Sequence, residues 1–319
     1  MSLCFLCPGQ GGQHAAMFNH LRLVPEAEDI FSAAEERMGE GFLDAIHEGA
    51  SMLFANHSAQ PLVCLSTLAW WHALRPFVPP PDLVLGYSVG EIAAHACSGV
   101  FSVRETLDLA RLRAELMDAA ARENPGGMLA LRGLRWSRLE PLIELHGLEV
   151  AIAAGIDHFV VGGRRDGLDA LRISALTSGA SSANFLPVAV AAHTSLMEPA
   201  RTPFHRAVWS CVYGKEEWDD EAPLVLAGID ASAVQNRAAL VHTLSEQLVQ
   251  TVEWVACLEA AAERGARVFL EIGPGDTLSK TVREWDSDAN VRSVEEFHSV
   301  EAVAEWVNRQ LSQVGVEPT

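Results

Sequence analysis

A serine between two glycines is the first feature of this sequence that could do chemistry. Residues 86–90 read GYSVG, after the apolar run LVL and before an alanine-rich helical pattern. Glycines at these two positions permit a sharp strand-to-helix turn, which exposes the serine oxygen at the N-terminus of the helix. The pattern predicts that Ser88 is a nucleophile. The alternative is a glycine-rich turn in which the serine only caps the helix.

A serine hydroxyl needs a base before it can attack a substrate. The chain has 12 histidines, and most of them fall inside helical patterns. His193 differs because it directly follows the apolar run FLPVAVAA, which predicts a strand ending at the histidine. Active sites of parallel sheets gather at such strand ends. We therefore predict that His193 is the base.

One arginine lies on the wrong face of a predicted helix. Residues 102–120 have a helical period, and the charged residues collect on one face except for Arg113, which falls in the apolar arc. An unpaired guanidinium buried there would be costly, so an anion should meet it. Two partners remain open, a carboxylate of the core or a substrate carboxylate held by two hydrogen bonds.

Two glycine turns follow apolar runs. PGQGGQ at 8–13 fits neither the dinucleotide-binding nor the phosphate-binding loop pattern, but its backbone could aim an N–H group at an oxyanion. GPG at 273–275 makes a similar turn, for which we expect a structural role.

The elements that must position these residues alternate between strand and helix. This alternation predicts an α/β fold with a parallel sheet. The core strands are expected at 3–7, 83–86, 185–191 and 267–272.

A middle section has a different pattern, in which short strands are separated by two helical segments. These strands are expected at 127–133, 149–154, 158–162 and 183–190. The pattern resembles a small α+β insertion of the split βαβ kind. We predict a core of residues 1–124 and 191–319 and a small subdomain of residues 125–190.

Charge and hydropathy exclude several classes of partner. The net charge of −19 repels nucleic acid and anionic membranes. The longest apolar stretch, residues 61–71, is shorter than the ~20 residues that span a bilayer. The N-terminus has no basic n-region, so we expect a cytoplasmic protein. Residues 122–190 carry seven arginines and seven acidic residues, which makes this part neutral and thus relatively basic.

Several separated motifs together resemble one family, the malonyl-CoA:acyl-carrier-protein acyltransferases. The arginine 25 residues after the serine is one of them, and the others are PGQGGQ, AQP at 59–61, GxSxGE at 86–91, VAAHTSLM at 190–197 and EIGPG at 271–275. The resemblance covers nearly the whole chain. It implies a hydrolase-like α/β core with a ferredoxin-like insertion, and transfer of malonyl through a covalent malonyl-serine.

The resemblance also implies roles for single residues. Ser88 would be the nucleophile and His193 its base. The substrate would be held by Arg113, on the malonyl carboxylate, and by Gln60. The backbone N–H groups of Gln10 and Val89 would form the oxyanion hole. The implied substrate is malonyl-CoA and the implied partner is an acyl carrier protein, with neither a metal nor a bound cofactor.

The chain departs from the family pattern at three places. The histidine is usually oriented by a main-chain carbonyl in a V-Q-W segment, but here the segment is V-E-W, so Glu253 could orient His193 by its backbone or its carboxylate. AAGID at 153–157 replaces an asparagine-containing segment. Tyr87 stands where the family usually has histidine, and this resembles the epsilon-subunit branch of malonate decarboxylases, which malonylates its own carrier subunit.

Three alternatives stay open beside that branch. The first is the fatty-acid-synthesis transacylase, with the same chemistry and another carrier. The second is an esterase or thioesterase of the α/β-hydrolase type. The third is a non-catalytic assembly subunit. Because carrier proteins are typically acidic, we expect the carrier to dock on the relatively basic insertion, with ordinary solvated arginines as the alternative. The candidate docking residues are Arg132, Arg135, Arg138, Arg164 and Arg165.

Overall fold

A five-stranded parallel sheet forms the larger part of the molecule. The computed structural model describes residues 2–47, 53–215 and 221–314. The sheet has the strand order β7-β2-β1-β8-β9 and confirms the predicted α/β class. Its strands are β1 (Ser2–Cys7), β2 (Leu83–Gly86), β7 (Leu224–Leu226), β8 (Ala266–Glu271) and β9 (Asn290–Ser293).

A second, antiparallel sheet lies in the middle of the chain. Its order is β4-β5-β3-β6, and with two helices it has the βαββαβ arrangement of a ferredoxin-like fold. Its elements are β3 (Gly127–Arg132), α6 (Trp136–His146), β4 (Glu149–Ala153), β5 (His158–Gly163), α7 (Arg165–Thr177) and β6 (Ser182–Phe185). The limits 125–190 stay a prediction, and residues 1 and 315–319 of the predicted core lie outside the described residues.

Helices cover both faces of the parallel sheet. They are α1 (Pro25–Met38), α2 (Phe42–His47), α3 (Asn56–Leu74), α4 (Gly90–Cys97), α5 (Val103–Glu123), α8 (Glu198–Val212), α9 (Arg237–Glu246), α10 (Trp254–Glu263), α11 (Thr277–Trp285) and α12 (Val300–Val314). The helix α3 is buried on nearly all sides. Within the described ranges, no helix is both long and apolar enough to cross a membrane. The helix α5 starts with a capping box between Ser102 and Glu105.

The expected strand before His193 is wrong. The strand β6 ends at Phe185, and residues 186–194 are irregular. Pro187 explains the break, because proline has no N–H group to donate to a ladder. His193 therefore lies in a loop, with a left-handed backbone (φ +62°). The strands β7 and β9 were not predicted, since β7 has only three residues and β9 (NVRS) contains a single apolar residue.

The EIGPG motif supports the turn at 8–13. The turn at 273–275 packs directly against the turn at 8–13, since a Cβ at Gly12 would lie only 2.3 Å from the carbonyl oxygen of Pro274. The fully buried carboxyl of Glu271 accepts hydrogen bonds from the amides of Leu278 (3.1 Å) and Ser279 (2.7 Å) at the start of α11. The motif thus joins β8 to α11 below the turn that carries Gln10.

Glu271 should make the stability of the protein depend on pH. Burial raises the pKa of its carboxyl from 4.5 to about 7. Below pH 4.5 the group is neutral in the folded and unfolded chains, and as the pH rises through 7 the folded chain must bury a charge. The free energy of unfolding should therefore fall by about 3 kcal/mol between pH 4.5 and pH 8 through this group alone.

The measurement compares urea unfolding of the wild type and Glu271→Gln across this pH range. The difference between the two free energies should change with pH, in favour of the wild type at low pH. Glu271→Gln also loses one carboxylate oxygen as an acceptor, which changes its free energy of unfolding by the same amount at every pH. If the two curves differ only by such a constant amount, the burial of an ionisable group is contradicted.

Candidate active site

Ser88 lies at a strained turn between β2 and α4. Its backbone is left-handed (φ +57°), which is rare for a residue with a side chain. A Cβ at Gly86 would lie 2.1 Å from the Cα of Glu91, and one at Gly90 would lie 2.1 Å from the carbonyl oxygen of Cys7. Only glycine fits at both positions, as the sequence pattern predicts. The turn presents the serine oxygen above the N-terminus of α4.

His193 is placed to take the proton of the serine. Its Nε2 lies 2.8 Å from Ser88 Oγ, and its Nδ1 lies 2.5 Å from the carbonyl oxygen of Gln247. A carbonyl only accepts, so Nδ1 carries the proton and Nε2 is left as the acceptor for the serine hydroxyl. Burial, and then the charge of Arg113, lower the pKa of His193 to about 3. The imidazole is neutral and can act as a base.

Arg113 reaches the same point from α5. Its side chain is 2% exposed, and its NH1 donates to Gln60 Oε1 at 2.9 Å. Its NH2 donates to Gln247 Oε1 at 3.2 Å and to Ser88 Oγ at 3.3 Å. Burial lowers the pKa of Arg113 to about 10, so the group stays charged at neutral pH. Among the described residues, no carboxylate forms an ion pair with it, which removes the structural ion pair as its explanation.

The amides of Gln10 and Val89 are available near the serine. Val89 is the residue before α4, and Gln10 lies in the turn after β1. The turn approaches closely, since a Cβ at Gly9 would lie 3.6 Å from the Cβ of Ser88. In the part of the chain that the structure describes, neither amide donates a hydrogen bond to the protein. Their role as oxyanion donors stays a proposal.

A match to a known protein family identifies the class of protein to which this chain belongs. The acyl transferase domain model matches residues 4–312. The chain is an acyltransferase of this family.

Relatives of known activity resemble the acyltransferase over almost its full length. The malonyl CoA-acyl carrier protein transacylase of Bacillus subtilis is 26% identical, over 97% of this chain and 98% of that protein. The human mitochondrial transacylase is 28% identical, over 89% of this chain and 77% of that protein. The structure of the transacylase from Coxiella burnetii is 26% identical, with a TM-score of 0.89, and covers 97% of this chain and 98% of that chain.

A further structural neighbour is a complex of a malonyl-transacylase with a type II PKS acyl-carrier protein. It is 24% identical to this chain, with a TM-score of 0.88, and covers 96% of this chain and 99% of that chain. At this identity the likeness concerns the fold.

The Nδ1 of His193 contacts the main-chain carbonyl of Gln247, and not Glu253 as the sequence led us to expect. Glu253 donates its amide to the carbonyl of Gly228 at 2.7 Å, and Val252 pairs with Ile152 of β4. The V-E-W segment therefore joins the antiparallel sheet to the core. Sequence reasoning missed Gln247 because a main-chain carbonyl has no residue signature, and its side chain lies in no motif.

Removing the charge of Glu253 should leave the acyltransferase active. Glu253→Gln keeps the backbone hydrogen bond to Gly228, and no hydrogen bond within the described residues joins its carboxylate to His193. Because His193 and the carbonyl that it contacts are unchanged, we expect kcat to stay within about twofold of the wild type, and any effect on KM reflects the position of Glu253 beside the cavity. A loss of tenfold or more in a steady-state transfer assay would restore Glu253 as the orienting residue.

Tyr87 packs the nucleophile turn against α10. Its ring meets that of Trp254 edge to face, with centroids 5.3 Å apart and an interplanar angle of 78°. A Cβ at Gly9 would lie 3.1 Å from the Cδ1 of Tyr87, so the ring also lies below the turn at 8–13. Burial raises the pKa of the Tyr87 phenol, which stays neutral. The tyrosine thus supports both turns of the site.

Proposed function

We propose that the acyltransferase moves a malonyl group from malonyl-CoA to the thiol of an acyl carrier protein through a malonyl ester of Ser88. The observation that carries this proposal is the buried guanidinium of Arg113, which lies 3.3 Å from the serine oxygen and has no carboxylate partner among the described residues. A short acyl group with a terminal carboxylate would supply that partner. The relatives that are named malonyl CoA-acyl carrier protein transacylases support the same substrate.

The first half of the reaction acylates the serine. The malonyl carboxylate binds Arg113, and the Ser88 oxygen attacks the thioester carbonyl while His193 Nε2 takes its proton. The tetrahedral oxyanion is held by the amides of Gln10 and Val89, each worth roughly 3 kcal/mol in comparable sites. The C–S bond then breaks, and the imidazolium returns the proton to the leaving CoA thiolate.

The second half reverses the roles. The carrier thiol gives its proton to His193 Nε2 and attacks the malonyl ester, and the serine leaves with that proton. Gln247 stabilises the imidazolium in both halves, because its carbonyl accepts from Nδ1. A cavity of about 490 Å³ beside His193 offers the carrier arm a route; it runs between α6 and residues 249–253.

The esterase and the assembly-subunit alternatives are less well supported. An esterase would use water as the acceptor and would have no use for a buried arginine at the serine. An assembly subunit would have no use for the hydrogen-bonded pair of Ser88 and His193, which the turn at 86–90 holds under backbone strain.

We place the enzyme in the malonate decarboxylase branch, with the carrier subunit of that system as its partner and the cytoplasm as its location. Tyr87 supports this choice over the fatty-acid-synthesis transacylase, because the family usually has histidine at this position and the tyrosine resembles the malonate decarboxylase branch. Its ring fills the space between the nucleophile turn and Trp254. The fatty-acid carrier is the alternative acceptor.

The position of the arginines narrows the docking proposal. Arg164 and Arg165 follow β5, whose end lies near the site, since a Cβ at Gly162 would lie 2.6 Å from the Cγ2 of Thr194. Arg132 lies at the far end of β3, ~17 Å along the strand from Gly127, which pairs with Gly163 at the end of β5 near the site. The Arg132 guanidinium is held at 2.9 Å by both carboxylate oxygens of Glu284, whereas Arg165 has one 3.3 Å contact with Asp169 and stacks on the ring of Phe185. We propose Arg164 and Arg165 as the docking residues.

The decisive experiment offers malonyl-loaded enzyme a malonate decarboxylase carrier and a fatty-acid carrier, each at low salt. Faster transfer to the first carrier supports the branch, and faster transfer to the second assigns the enzyme to fatty-acid synthesis. Release of free malonate without transfer to either carrier would favour the esterase. Charge reversal of Arg164 and Arg165 should raise the KM of the carrier, and an unchanged KM would contradict the docking proposal.

A further inference from the structure

Glu91 is a buried carboxyl that the transfer steps do not use. It lies in the first turn of α4, three residues after the nucleophile, and is fully buried. Its Oε2 accepts hydrogen bonds from the amide of Gly228 at 3.0 Å and from Nε2 of Gln247 at 2.5 Å. Its Oε1 is buried without a partner in the described part of the chain. Gln247 is therefore the residue whose side chain forms a hydrogen bond with Glu91.

Gln247 joins the base to the clamp. Its main-chain carbonyl accepts from His193, and its side-chain Oε1 accepts from Arg113. The oxygen of the Gln247 side-chain amide thus faces the guanidinium of Arg113, and its NH2 group faces the carboxyl of Glu91. An amide turned the other way would place its NH2 group against the guanidinium and its oxygen against Glu91. The contact with Glu91 therefore determines which end of the amide faces Arg113.

We propose that Glu91 is a positioning residue, which sets the preference for malonyl over acetyl groups by holding the Gln247 amide and, through it, the guanidinium of Arg113. The inference rests on the proposed function. In the described part of the chain, Arg113 is held only by neutral oxygens, those of Gln60, Gln247 and Ser88. Loss of one of them lets the guanidinium move, and small displacements of positioned groups cost up to about 100-fold in rate.

Glu91 acts on the Gln247 amide through a hydrogen bond, and its partial negative charge also acts on the guanidinium of Arg113. Burial raises its pKa to about 7, so the carboxyl is partly protonated at neutral pH. A proton on Oε1 leaves Oε2 as the acceptor for Gly228 and Gln247. An amide in place of the carboxyl can accept the same two bonds, whereas a leucine of similar size cannot. This contrast separates positioning from charge.

The test measures kcat/KM with malonyl-CoA and with acetyl-CoA, which lacks the carboxylate. Glu91→Leu should lower the malonyl-to-acetyl ratio by about tenfold or more, mainly through a higher KM for malonyl-CoA. Glu91→Gln should keep the ratio within about threefold of the wild type. An unchanged ratio in Glu91→Leu overturns the proposal, and so does an equal loss in both variants.

Glu271→Leu is the matched control, because it removes another fully buried carboxyl that also accepts amide hydrogen bonds. It should lower stability and leave the ratio unchanged. If Glu91→Leu does not fold, Gln247→Leu makes the same test, since it keeps the carbonyl that binds His193. Its ratio should fall in the same way, and an unchanged ratio counts against the proposal.

A binding measurement separates this inference from the proposed function. By calorimetry, free malonate should bind the wild type and Glu91→Gln about tenfold more tightly than Glu91→Leu, without any turnover. Wild-type enzyme that binds malonate in this way but forms no malonyl adduct would disprove the transfer function alone. Equal malonate affinity in all three proteins would disprove the role of Glu91 alone.

Discussion

Replacing Ser88 by alanine should abolish transfer, with a fall in kcat of about 10⁶-fold, as for nucleophiles of comparable serine–histidine pairs. Intact-mass measurement after incubation with malonyl-CoA should show one malonyl adduct on the wild type and none on Ser88→Ala. The fold should survive, because alanine takes the same left-handed backbone as serine and removes only the hydroxyl that contacts His193 and Arg113.

Ser98 provides the matched control for this experiment. It lies at the other end of α4, is buried, and donates its hydroxyl to the carbonyl of His95 at 2.9 Å. Ser98→Ala should keep the malonyl adduct. An adduct that persists on Ser88→Ala would place the nucleophile elsewhere and remove the basis of the proposed mechanism.

Replacing Arg113 by alanine should change the substrate of the enzyme rather than silence it. Malonyl transfer should fall by about 1,000-fold, because the malonyl carboxylate would be left buried without a partner. Acetyl transfer should persist or increase, since the acetyl group no longer leaves a buried guanidinium without an anion. The measurement is the rate of transfer to carrier protein from malonyl-CoA and from acetyl-CoA.

Arg111 on the same helix is the control for Arg113. It is exposed and pairs only loosely with Glu115, at 3.9 Å, which contributes little. Arg111→Ala should leave both rates unchanged. If Arg113→Ala lowers malonyl and acetyl transfer equally, the arginine supports the site in some other way and the carboxylate clamp is disproved.

Local patterns in the sequence were sufficient for the nucleophile turn and for the burial of Arg113. The turn at 86–90 depends on contacts within a few residues, so its glycines are readable from spacing. Arg113 was found because a charge within an apolar arc is visible from the helical period alone. His193 was chosen for the wrong reason, since the strand that was expected to carry it ends at Phe185.

Residues that act through the main chain or through long-range contacts could not be found in this way. The orienter of His193 was expected at Glu253, but the main-chain carbonyl of Gln247 takes this place. Glu91 was part of a recognised motif, yet its partners lie more than 130 residues away in sequence. Such contacts exist only once the chain has folded.

The sequence alone therefore determined the class of fold and the acyltransferase chemistry, and it supplied the side chains that we propose to carry that chemistry. The fold class and the nucleophile turn follow from periodicity and glycine spacing, which are local, whereas the type of chemistry follows from the resemblance of several separated motifs to one family. Only the tertiary structure decided that Gln247 links His193 to Arg113 and that Glu91 holds Gln247. These contacts join α4, α5 and the loops after β6 and α9, and their geometry is set by the packing of the core rather than by any one segment.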